Sequence, residues 1–202
     1  MRYFLFISVL CLIPFSSLAK GKDILRYWNV TSASYLQIDG TTNVNSFQCG
    51  TPYEKGNDLI RERWDPDNEK WEIFGSLYIE VGQLDCQNRI MNNDLRNTLE
   101  YERHPEIKIE FLSLREKNHE GNTRMAEGWV EITIVGKTRK YYITSELEFL
   151  DNYYSILRGE QIFHFSDFHI EPPSKGLGMV RVNNALTVSF ELILEQTILS
   201  EN

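Results

Sequence analysis

Apolar side chains recur at every second position in five segments of the chain, and no other feature narrows its fold as much. In "WEIFGSLYIEV" the residues Trp71, Ile73, Leu77, Ile79 and Val81 share a face, with Gly75 where a strand can bend. "IKIEF" sets Ile107, Ile109 and Phe111 against Lys108 and Glu110, and "WVEITIVG" sets Val130, Ile132 and Ile134 against Glu131 and Thr133. "KYYITSELEFL" does the same with Tyr141, Ile143, Leu147 and Phe149, and "LTVSFELILEQ" with Val188, Phe190, Leu192 and Leu194. Successive side chains of a strand point to opposite sides, so each segment has one wet face and one dry face. That pattern belongs to antiparallel sheet closed around something.

Turn residues separate these runs. "DPDNEK" from Asp65, "EKNHEGNTR" from Glu116 and "GKTRK" from Gly136 read as hairpin connections. One segment changes period: "NRIMNNDLRNTLEYERHP" brings Ile90, Met91, Leu95 and Leu99 to helical spacing. Asn88 or Asn92 is the candidate cap and Pro105 closes the segment, so a helix is expected from about Met91 to Tyr101. No repeat, linker or low-complexity tract divides the 202 residues.

The stretch "DGTTNVNSFQCG" breaks the alternation. Read as a strand, it points Val44, Ser46 and Gln48 one way and Asn45, Phe47 and Cys49 the other, and neither face is cleanly apolar. The N-terminus bears on why it ends in a cysteine. "MRYFLFISVLCLIPFSSLAKGKD" has an early arginine, an apolar run from Tyr3 to Phe15, and small residues at Ser17 and Ala19. We read residues 1–19 as a secretory signal peptide and 20–202 as one domain. The apolar run is shorter than the roughly 20 residues that span a bilayer, and no later segment could cross one.

Removing the signal discards Cys11 and leaves Cys49 and Cys86 in a compartment where disulfides persist. A bridge between them would contribute roughly 3 to 4 kcal/mol; two free, buried thiols are the alternative. Neither cysteine has a second ligand at zinc-site spacing. Loss of Arg2 takes the net charge from −8 to −9, which disfavours nucleic acid as a partner.

The order of motifs resembles the YceI-like family, secreted bacterial lipocalin-like barrels, from about Tyr35 to Leu194. "DGTTNVNSFQC", "LDCQNRIMNNDLRNTLEYERHPEIKIEF", "GWVEITIVGKTRKYYI" and "RGEQIFHFSDFHIEPPSKGLGMVRVNNALTVSFEL" carry the resemblance. It implies a mainly β fold: an eight-stranded antiparallel barrel, a helix near its mouth, and an elongated apolar cavity. It also implies a periplasmic or secreted carrier of a long-chain lipid, such as a polyisoprenoid, an isoprenoid quinone or a fatty-acid-like amphiphile. No cofactor is expected beyond such a lipid, and a homodimer is left open. Under this resemblance Cys49 ends an early strand and Cys86 precedes the helix, so a bridge ties the helix's approach to the wall. Asn43 and Asn45 then satisfy backbone groups near a rim. Many members carry a basic or His-containing helix entry and a glycine after the Asp-Phe pair; this chain has "NNDLRNTL" and His169.

Alternation and resemblance together give the candidate lining. They name Phe47, Ile73, Leu77, Ile79, Ile109, Phe111, Ile132, Ile134, Tyr141, Ile143, Leu147, Phe149, Phe163, Val188, Phe190 and Leu192. Period two does not distinguish a hollow barrel from a solid one, so a filled barrel serving as a protein-interaction or structural module is the alternative. Catalysis has weaker support. "HFSDFH" offers His164, Asp167 and His169, with His104 and His119 elsewhere, but in a strand the first and last face opposite sides. Neither a nucleophile elbow nor a phosphate loop appears. No catalytic residue and no metal ligand is expected.

Overall fold

In the computed structural model, the described residues are 25–53, 58–68 and 70–197, so residues 1–19, read above as a signal peptide, lie outside them. The alternating runs form long strands joined by short turns. In chain order they are β1 (Leu25–Val30), β2 (Tyr35–Thr42), β3 (Ser46–Pro52), β4 (Leu59–Asp65) and β5 (Lys70–Glu80). After the helix α1 (Arg89–Thr98) come β6 (Glu106–Glu120), β7 (Thr123–Ile134), β8 (Lys137–Phe149), β9 (Tyr154–His164), β10 (Ser174–Lys175) and β11 (Val180–Thr197).

Eight of these strands close a ring in the order β1-β4-β5-β6-β7-β8-β9-β11, and pairing of β11 with β1 completes it. Every pairing is antiparallel. β11 is long enough to serve two partners on one edge. Its end, Leu194 to Thr197, pairs with β1, while Val182 to Glu191 pairs with β2. The β2–β3 hairpin therefore extends the wall above β1.

Among the described residues no ladder joins β3 to β5. That seam is held by another device. Gly50 and Asp85 exchange both backbone hydrogen bonds at 2.9 Å, and the adjacent Cys49 and Cys86 are joined by a disulfide. Asn92 adds to it: its Oδ1 accepts from Cys86 N at 2.7 Å and its Nδ2 donates to Asp85 at 2.8 Å. The bridge thus fastens the free edge of β3 to the start of α1.

The stretch "DGTTNVNSFQCG" is a hairpin and not one strand. β2 ends at Thr42, whose hydroxyl accepts from Val44 N and Asn45 N at 3.1 and 2.9 Å and so closes a turn before Ser46. Asn43 meets the backbone of the β10–β11 connection, donating to Met179 O and accepting from Arg181 N, both at 2.8 Å. Across the pair Gly40–Phe47, the Phe47 ring lies where a Cβ of Gly40 would stand, only 2.2 Å from it. Glycine there gives the ring its place.

The helix runs Arg89–Thr98 and ends short of the expected Tyr101. Asn88 is its cap, accepting from Ile90 N and Met91 N, which leaves Asn92 free for the seam. Met91, Leu95 and Leu99 turn toward the barrel, while Ile90 points out to solvent.

The end of the barrel remote from α1 is filled. Trp28, Ile60, Ile73, Leu147, Leu157 and Leu194 pack there around Glu62, which is 1% exposed. Arg26 lies over the Trp71 ring at 4.2 Å, Trp71 meets Trp64 edge-on, and Arg124 lies over Phe149 at 4.3 Å. Glu62 Oε2 accepts from Trp28 Nε1 at 3.2 Å and Arg26 at 3.4 Å, but its Oε1 has no partner among the described residues. Burial pushes this carboxyl above its ordinary value of 4.5, against the opposing pull of Arg26 and Trp28.

The fold favours the neutral acid. Its contribution is complete below about 4.5 and is lost as pH rises through the raised folded value. Glu62→Gln, which keeps the shape and removes the charge, should melt higher than the parent at pH 8, and the gap should close toward pH 4.5. Thermal melts across that range test this; a gap that widens on acidification contradicts it.

Candidate functional site: an apolar cavity beneath the helix

The other half of the barrel is hollow. A cavity of about 130 Å³ lies between the strand walls, α1 and the turn that follows β9. Its floor is the packed end just described. Its wall is built from the inward positions of six strands: Leu36 and Ile38 of β2, Leu77 and Ile79 of β5, Ile107, Ile109 and Phe111 of β6, Ile132 and Ile134 of β7, Phe163 of β9, and Leu186, Val188, Phe190 and Leu192 of β11. Leu95 of α1 and Leu99 at its C-cap, with Phe165, Phe168 and Ile170, cover the top. Gln161 and His164 are the polar side chains among the lining residues. Ile107, Ile109, Ile134, Phe163, Val188 and Phe190 point inward yet are only partly buried, because they face open space. Phe190 owes its position to Gly159, whose Cβ would stand 2.4 Å from the ring.

A second chamber of about 190 Å³ adjoins the first, sharing Ile38, Leu95, Phe165 and Leu186 with it. Its lining is mixed: Phe47, Met91, Val180, Val182 and the disulfide on one hand, Thr42, Asn45, Asp94, Thr98 and Lys175 on the other. Lys175 and Asp94 pair at 2.7 Å, linking β10 to α1 across this chamber.

The cover between β9 and β10 is held by polar contacts. A 3₁₀ turn, Phe165–Phe168, buries Phe165 and Phe168 and presents Asp167 back to the wall. Tyr141 donates to Asp167 at 2.9 Å, and burial first, then this carboxylate, pushes the phenol well above its ordinary value. Tyr141 also stacks edge-on against Phe163 at 4.7 Å. His169 ends the turn at φ 59°, left-handed backbone that favours glycine, and its Nε2 accepts from Arg139 at 3.0 Å. His169 thus occupies the conformation that a glycine after Asp-Phe would adopt freely.

The sequence-derived lining divides accordingly. Leu77, Ile79, Ile109, Phe111, Ile132, Ile134, Phe163, Val188, Phe190 and Leu192 meet at the inner cavity. Phe47 lines the outer chamber. Ile73, Ile143, Leu147 and Phe149 point inward but belong to solid packing, the first and third at the floor, and Tyr141 stands behind the cover. Leu36, Ile38, the helix residues, Phe165, Phe168 and Leu186 were not named from sequence. His164 and His169 do not converge: His164 Nδ1 lies 3.5 Å from Asp167 and His169 turns to Arg139. β9 ends at His164, so His164 and His169 are not the opposite faces of one strand. No cluster of metal-ligand residues occurs among the described residues.

No family model and no curated protein matches this sequence. Solved structures do resemble it. A polyisoprenoid-binding domain from Saccharophagus degradans implicated in plant cell wall breakdown superposes with a TM-score of 0.63 at 11% identity, covering 86% of this chain and 100% of that one. BcnA of Burkholderia cenocepacia superposes at 0.60 with 14% identity, over 82% of this chain and 99% of that one. A Campylobacter jejuni YCEI protein aligns over 98% and 100% of the two chains at 9% identity, with a TM-score of 0.48, too distant to add weight. The chain therefore shares the antiparallel barrel fold of the polyisoprenoid-binding domain and BcnA, with α1 across its mouth.

Proposed function

We propose that this chain is a secreted or periplasmic carrier that holds the apolar chain of a long amphiphile in the inner cavity and its polar head in the outer chamber. The observation that carries this reading is the set of inward aliphatic and aromatic side chains left uncovered inside a closed barrel. Protein interiors normally fill such space. That one structural neighbour binds polyisoprenoids agrees with it. Transfer of each CH₂ from water into the cavity contributes about 0.8 kcal/mol, so affinity follows chain length. The packed floor sets a limit: Leu186 and Leu192 bracket the cavity along β11, and their separation of six positions is roughly 20 Å at about 3.3 Å per residue. The Asn45 amide and the Asp94–Lys175 pair offer hydrogen bonds to a head group at the entrance.

Titration with fatty acids and polyprenyl quinones of increasing length tests the proposal. Affinity is expected to rise with chain length and then level off once the chain reaches the floor. Val188→Trp, placed in the open space, should reduce uptake at least tenfold while shifting the melting temperature by only a few degrees. Equal uptake by parent and variant contradicts the assignment of the cavity.

A further inference from the structure

Among the described residues, the four most exposed large apolar side chains are Leu177 (108%), Met179 (74%), Val44 (66%) and Ile90 (65%). All four lie at the mouth. Val44 is in the β2–β3 turn, Leu177 and Met179 are at the tip joining β10 to β11, and Ile90 is on the outer side of the first turn of α1. The same three elements line the outer chamber. Other exposed apolar groups, such as Leu150 and Tyr153, lie in the β8–β9 turn at the filled end.

The tip is built to hold this arrangement. Gly176, Leu177 and Gly178 all have positive φ, at 60°, 57° and 86°. A leucine there is strained backbone, costly for a branched side chain, and here it projects entirely into solvent. Nothing in the barrel's own packing accounts for it. The tip is also fixed: Asn43 bonds Met179 O and Arg181 N, and Arg181 Nε donates to Gly178 O at 2.9 Å. Arg89 precedes Ile90, Arg181 holds the tip at Gly178 O, and Lys175 opens the β10–β11 tip. Against them stand Asp94, paired to Lys175, and Asp85 at the helix approach, so among these residues this end carries three cations to two carboxylates in a chain of net charge −8.

We infer that Val44, Ile90, Leu177 and Met179 form a lip that docks on an anionic lipid bilayer, presenting the outer chamber to the membrane so that an amphiphile can pass without crossing water. The apolar tips enter the interface while the neighbouring cations meet lipid phosphates. The inference rests on the carrier reading for its purpose, though not for its test.

Flotation of the protein purified after export, with vesicles of phosphatidylglycerol and phosphatidylcholine, tests it. The parent should float with the vesicles, less so at high salt. Leu177→Asp with Met179→Asp should cut the bound fraction at least about tenfold, as burial of two such side chains requires. The same change at Leu150 and Tyr153 should leave it unaltered. Uptake of a soluble fluorescent fatty acid, measured without vesicles, should be equal in parent and lip variant. Flotation lost in the lip variant supports docking even where no fatty acid is taken up, which would count against the carrier reading alone. A parent that does not float, or a lip variant that floats equally, overturns the inference. So does a concentration-dependent dimer that the lip variant abolishes, with no vesicle binding, since the lip would then join two copies.

Discussion

Ile132→Asp is expected to cost the barrel its stability or its ligand, and in either case more than any change on the outer face of the same strand. Ile132 is 6% exposed, pairs with Ile109 across the β6–β7 ladder, and contributes to the cavity wall. Gln161 and His164 are the polar groups of the lining, and Arg139, opposite Ile132 on β8, is already engaged by His169 and Thr138 O. An unpaired carboxylate in such a place costs several kcal/mol, a large share of the roughly 5 to 15 kcal/mol that holds a domain together. For a chain of this size that corresponds to a melting temperature lower by about 10 °C or more. If water enters the cavity to solvate the charge, the fold survives and apolar uptake is lost instead. Thr133→Asp, one position along and facing outward, should do neither. Unchanged melting together with unchanged uptake in Ile132→Asp would show that the faces are reversed.

The second large effect concerns the seam between β3 and β5. Cys49 and Cys86 are 37 positions apart, and a cross-link over that span contributes roughly 3 to 4 kcal/mol through the unfolded chain. Replacing both by serine should therefore lower the melting temperature by about 6 to 16 °C. A further consequence is local. With the bridge gone, β3 is tied to the helix approach by the Gly50–Asp85 pair and the Asn92 bonds, and both cysteines line the outer chamber. Uptake should thus fall even at temperatures where the barrel remains folded. The parent should melt lower on reduction, and when exported and unreduced it should expose no free thiol on denaturation. Identical melts with and without reductant contradict this account.

Much of the barrel could be read from residues because its strands obey a simple rule. β6, β7, β8 and the second half of β11 alternate cleanly, so their inner faces were identified from spacing. β1, β4 and β9 violate the rule for reasons visible in the structure. Arg26 and Glu62 occupy inward positions because they form part of the packed floor, and β9 has Gly159 where Phe190 needs room and Ile162 on its outer side. Sequence alternation gives the side a residue faces but not its height. Ile73 and Leu77 share a face, yet one ends in the floor and the other in the cavity. The cover was less legible still. Leu95 of the helix, Leu99 at its C-cap, and Phe165 and Phe168 of the 3₁₀ turn reach the cavity only because tertiary contacts place those segments over the mouth. The stretch around Asn43 was half legible: Asn43 does satisfy backbone groups at the rim, but one hydroxyl, Thr42, turns the expected strand into a hairpin.

On the proposed function, the hollow half of this barrel holds a single long apolar chain. Native mass spectrometry of the protein purified after export, followed by organic extraction, tests it most directly. One lipid per chain is expected, lost in Val188→Trp and recovered in the extract as a long-chain amphiphile. A parent protein of bare polypeptide mass that also takes up no polyprenyl quinone or fatty acid in titration would contradict it.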